Sequence, residues 1–136
     1  MTLDTNTEVD EVGNVQDSEG RAVPPASGDY AYGYGEGIDI TDGAVEITVN
    51  CPDRATQLVV HVDNLSGAAH VEVQTLDADG AVVTQRDDGD NSAYAGSDTS
   101  DIFVDTTPAA PALRIRIVDD TPAGSSNSCD YSLMVV

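Results

Sequence analysis

The chain has 136 residues, with 25 Asp plus Glu, five Arg and no Lys, for a formal charge of −20. Its length fits one domain, and with no basic patch to displace phosphate counterions it is not expected to bind nucleic acid. No apolar run approaches the ~20 residues that span a bilayer as a helix, so no membrane partner is expected either.

That much charge on a small domain repels itself strongly in dilute buffer, and molar salt cuts the screening length to about 3 Å. Carboxylates with Arg in place of Lys therefore match the composition of proteins from salt-accumulating archaea. The first 30 residues have neither a basic stretch nor an apolar one. The expectation is synthesis in the cytoplasm without a signal peptide.

Residues 1–43 carry ten acids and one Arg, Arg21. Met1 to Ala26 shows no helical or strand period and contains Pro24-Pro25, which predicts an extended acidic arm unable to build its own core. Val9, Val12 and Val15 are its candidate apolar contacts. Tyr30, Tyr32 and Tyr34 follow at spacing two among glycines. On extended backbone they share one side, as a contact strip or as a lid on the core.

From residue 44 the period is two. Val45, Ile47, Val49 and Cys51 alternate with Glu46, Thr48 and Asn50, predicting a strand with one buried face. Leu58, Val60 and Val62 form the next. Residues 69–86 read as a hairpin around Asp77-Ala78-Asp79-Gly80, where Gly supplies positive φ. Ile102 to Val104, Leu113 to Val118 and Tyr131 to Val135 complete about seven strands. The expected fold is all-β: an antiparallel sandwich over 44–136, jelly-roll or immunoglobulin-like, with residues 1–43 as the arm.

Chemistry-bearing residues are few. Cys51 and Cys129 share the parity of the buried face. Pairing 45–51 with 129–135 antiparallel would set them opposite each other, and a disulfide there would add roughly 4 kcal/mol; two buried free thiols are the alternative. His61 and His70 lie on the polar parity and are expected at the surface. Asp87-Asp88-Gly89-Asp90-Asn91 resembles part of a calcium loop but lacks the spacing and the distal Glu; a solvated loop is the default reading, with loosely held monovalent or divalent cations on acidic loops as the alternative. Arg114 and Arg116 alternate outward, to pair with carboxylates across the sheet or to hold a neighbour's acidic arm. No nucleophile elbow or metal spacing appears, so neither catalytic residues nor cofactors are expected.

The run ATQLVVHVDNLSGAAHVEVQTLDADGAVVTQ, then ALRIRIVDD and CDYSLMVV, resembles small β-sandwich virion proteins of tailed viruses. The resemblance implies a capsid decoration, turret, fibre or tail component. With the composition, it suggests a structural protein in the virion of a haloarchaeal virus, bound to copies of itself and to a capsid protein. The alternative is a carbohydrate- or receptor-binding module at a fibre tip or baseplate, for which Tyr30, Tyr32, Tyr34 and Tyr94 are the candidate aromatic set.

Overall fold

The computed structural model describes residues 15–16, 22–23, 31–51, 55–86, 94–108 and 110–136. Val9, Val12, Tyr30 and the acidic run 87–91 lie outside the described residues. The strands are β1 (Val15–Gln16), β2 (Ala22–Val23), β3 (Ala31–Asp39), β4 (Ala44–Asn50), β5 (Leu58–Asp63), β6 (Ala69–Leu76), β7 (Val82–Arg86), β8 (Ala95–Gly96), β9 (Ile102–Thr106), β10 (Ala112–Asp119) and β11 (Ser128–Val135).

Two antiparallel sheets pack face to face. Sheet I runs β7-β6-β10-β4, with β8 also on β6, and sheet II runs β3-β11-β5-β9. Numbering the eight long strands along the chain, sheet I takes them in the order 5-4-7-2 and sheet II in the order 1-8-3-6. This is the double Greek key of a jelly roll, which decides between the two sandwiches the periodicity allows. Each long strand buries alternate residues. Ile47, Val49, Leu58, Val60, Val62, Ile115 and Ile117 are completely or almost completely buried, so the core is aliphatic as the composition requires. The β6–β7 hairpin turns where predicted. Gly80 has φ +84°, and Asp77 Oδ1 accepts from the N–H groups of Asp79 and Ala81.

The boundary at residue 43 needs correcting. β3 pairs with β11 from Ala31 to Asp39, so residues 31–43 belong to the sandwich. The glycines that disguised this strand are what let it fit. A Cβ on Gly35 would lie 2.6 Å from the Tyr131 ring, which fills the space a side chain would take. Gly37, at φ +60°, supplies the left-handed residue of a bulge that shifts the register between Tyr131–Gly35 and Cys129–Ile38. The bulge resets the parity, so Gly35 and Ile38 both face inward. Asp130 Oδ1 secures it by accepting from the Gly37 N–H at 2.7 Å. Gly35→Ala should therefore destabilise by about 1–3 kcal/mol through overpacking against Tyr131, read as a lower denaturation midpoint with an unchanged spectrum.

The short arm strands add to sheet edges. Gln16 on β1 pairs with Thr48 on β4, β1 pairs with β2, and Val23 on β2 pairs with Tyr32 on β3. They join the outer strands of the two sheets along one side of the sandwich.

The expected pairing of residues 45–51 with 129–135 does not occur. β4 lies in sheet I beside β10, β11 lies in sheet II beside β3 and β5, and both cysteines are free. Shared parity required only that both thiols face the core, and strands in opposite sheets satisfy that equally well.

Candidate interaction faces

Each sheet turns one face to the outside, and the two faces differ in chemistry. On sheet I, a chain of charges crosses three strands. Asp120 lies 2.7 Å from His70 Nδ1, and His70 Nε2 lies 3.0 Å from Glu72 Oε2. Arg116 donates from NH1 to Glu72 Oε1 at 2.7 Å and from Nε to Glu46 Oε2 at 2.9 Å. His70 and Glu72 are buried, contrary to the surface position expected for His70. The polar parity was read correctly, but long neighbours close over this face. Arg116 pairs with carboxylates of its own sheet, one of the two roles considered for it.

Both ring nitrogens of His70 meet carboxylates, an arrangement that favours the imidazolium. Burial opposes that charge, but the hydrogen bonds to Glu72 and Asp120 outweigh it and raise the His70 pKa above its ordinary 6.5. Burial likewise opposes charge on Glu72, and the bonds to His70 and Arg116 outweigh it and lower that carboxyl below its ordinary 4.5. The His70 contribution to stability is thus fully present below pH 6.5 and is lost as pH rises through the raised value. The Glu72 contribution is present above pH 4.5 and is lost as pH falls through the lowered value. Melting the wild type and His70→Gln from pH 6 to 9 should show a fall in the wild type that the variant lacks. Parallel curves would remove His70 from the network.

One row away lie Gln16, Thr48, Arg114, Gln74 and Gln85, paired strand to strand. Arg114 makes no ion pair among the described residues, and Gln74 Oε1 is buried without a hydrogen-bond partner.

The outer face of sheet II is aromatic. Tyr34 pairs with Ser132, Ser132 with His61, and His61 with Phe103, so these four form one row across β3, β11, β5 and β9. The adjoining row is Tyr32, Met134, Val59 and Asp105. Phe103, the chain's only Phe, is 63% exposed, with Tyr34 and Met134 at 40% and 37%. The His61 and Phe103 rings stack with centroids 4.4 Å apart and planes 10° from parallel, and His61 Nε2 lies 3.0 Å from Asp101 Oδ2. Asp105 ends the second row, and Glu36, Asp63, Asp130 and Asp101, the last just ahead of β9, lie one outward position beyond the first row.

Of the aromatic set expected from the sequence, Tyr34 stands on this face and Tyr94 is buried in the core. His61 and Phe103 were missed as its members. The available signal was their outward parity on two strands, but the pairing of β5 with β9 brings together residues 42 positions apart, which periodicity cannot show.

The two cysteines are the remaining candidates among the described residues. Burial pushes the Cys51 thiol up to about 11 and the Cys129 thiol up to about 12, the latter with help from Asp130 and Asp63. Both stay protonated at neutral pH and are inert as nucleophiles. Among the described residues, no group of three or more His, Cys, Asp or Glu is placed to hold a metal ion. No family model, curated protein or solved structure matches the chain.

Proposed function

We propose that the protein is a non-enzymatic structural component of a haloarchaeal virus particle, a capsid decoration, turret or tail element. It associates with its own copies and with a capsid protein, and it resides in the virion. The observation that supports this most directly is strand addition by the arm. β1 and β2 attach to β4 and β3 through only a few residue pairs, and the same edges offer the same backbone groups to an arm from a neighbouring copy. Each exposed ion pair contributes at most about 1 kcal/mol, so backbone pairing and apolar contact dominate such a joint. High charge keeps the remaining surface hydrated.

Deleting residues 1–28 tests the reading. The truncated protein should keep its β spectrum and cooperative melt in molar salt, while sedimentation shows the full-length assembly reduced to a monomer. A truncated protein that still forms the same assembly contradicts the role given to the arm.

A further inference from the structure

We propose that the outer face of sheet II binds a neutral oligosaccharide, laid along the row from Tyr34 to Phe103. The inference goes beyond the structural role and can fail while that role stands.

The composition makes this face unusual. The chain has one Phe and five Tyr, and its core is aliphatic. Placing the single Phe at 63% exposure leaves apolar ring surface in water, and the fold gives it no internal use. The ring is also held. His61 stacks on one face of Phe103, and Asp101 fixes the His61 ring from its edge. β9 ends the strand order of sheet II, so among the described residues no strand lies beside the opposite face of Phe103. A flat, pre-oriented aromatic surface of this kind takes the C–H face of a sugar ring at little entropic cost.

Acceptors for hydroxyl groups stand alongside. Asp101 uses Oδ2 on His61, and Asp105 uses Oδ1 to accept from the Gln57 amide at 2.7 Å. Their other oxygens have no partner among the described residues. A hydroxyl donating to a carboxylate makes a charge-assisted bond, the stronger kind. Ser132 lies between His61 and Tyr34 in the row. Strands are about 4.8 Å apart, close to the width of one sugar unit, so a short linear oligosaccharide with one unit stacked on the open face of Phe103, past the edge of β9, runs back over the rims of the stacked His61 and Phe103 rings toward Tyr34.

Size and charge select this occupant over a protein. Two rows across four strands cover roughly 200 Å², about a quarter of what one partner buries in a standard protein interface. A macromolecule would have to extend over the surrounding carboxylates. A second copy would then press unpaired carboxylates against one another and strip them of their water, a cost that salt screening does not remove. The same argument excludes acidic sugars and leaves neutral ones.

The test uses the full chain in 3 M KCl, with backbone amide NMR shifts as readout. The probes are neutral tetrasaccharides of glucose, mannose and galactose, and a uronic-acid tetrasaccharide. At least one neutral probe should give saturable shifts at His61, Phe103 and Ser132, and the uronic-acid probe none. Phe103→Ala should weaken binding about tenfold. Its melt should be unchanged, because the side chain is exposed. Asp101→Ala is the second variant; it frees the His61 ring without removing either aromatic and should also weaken binding. The proposal is overturned if no neutral probe shifts these residues, if Phe103→Ala binds as well as wild type, or if the uronic-acid probe binds equally. Shifts on the same face that depend on protein concentration alone would assign it to a second copy instead.

Discussion

Lowering salt from molar to tens of millimolar should unfold this protein. Twenty like charges on a sphere of roughly 18 Å radius cost on the order of 45 kcal/mol in unscreened water, and an expanded chain of twice that radius about half as much. The difference exceeds the 5–15 kcal/mol by which a typical domain is stable. A screening length of ~3 Å at molar salt removes most of it, whereas ~30 Å at 10 mM removes little. Only the 25 acids against five Arg enter this estimate. Circular dichroism should show a cooperative melt in 3 M KCl and the loss of the β signal at 20 mM. A midpoint unchanged across that range would overturn the reading of the charge as an adaptation to salt.

The second large effect is expected at Asn127, one of the most buried polar residues. It ties together one end of the sandwich. Its side-chain amide donates to Ala68 O at 2.9 Å and to Asp119 Oδ1 at 2.8 Å, and its side-chain oxygen accepts from Ser66 Oγ. Its backbone N–H donates to Thr41 Oγ1, and its carbonyl accepts from the Ile40 N–H. The turn after β3, the loop before β6 and the end of β10 thus meet on one residue. Asp119 also accepts from Thr121 and from the Asp42 N–H, and these bonds hold its carboxyl well below the usual range. Asn127→Ala removes three side-chain bonds and leaves Ala68 O and Asp119 Oδ1 each one donor short, costing about 3 kcal/mol and lowering the midpoint by roughly 10 °C. Asn127→Asp should be no better, because it places a second carboxylate against Asp119. Thermal melts in molar salt check both. A loss below about 1 kcal/mol for Asn127→Ala would show that the loops hold together without it.

The contrast between β4 and β3 shows what could be read from sequence. β4 announces itself because Val45, Ile47 and Val49 alternate with polar residues, and burial follows that pattern residue by residue. β3 contains Gly33, Gly35 and Gly37, which have low strand propensity, and its bulge breaks the parity midway. Tyr131 explains Gly35 and Asp130 secures the bulge at Gly37, but both lie more than 90 residues away. The cysteines teach a related lesson. Parity placed both thiols inward but said nothing about which sheet each would enter. For Arg116 the sequence suggested carboxylate partners; that Glu46 and Glu72 take that role follows from the register of β4, β10 and β6. Asn127 sits in Ser125-Ser126-Asn127-Ser128, which reads as an ordinary polar loop. Its importance depends on three loops converging from distant parts of the chain.

The most direct test of the central claim is the size at which the full-length protein travels when salt is kept molar throughout. Lysate from the cells that make it should be sedimented through a 3 M KCl gradient, with the protein located by mass spectrometry. As a structural component of a virus particle, it should peak in dense, particle-sized fractions together with a capsid protein. Recovery only at the top of the gradient, as a free chain of 14.1 kDa, would contradict the account.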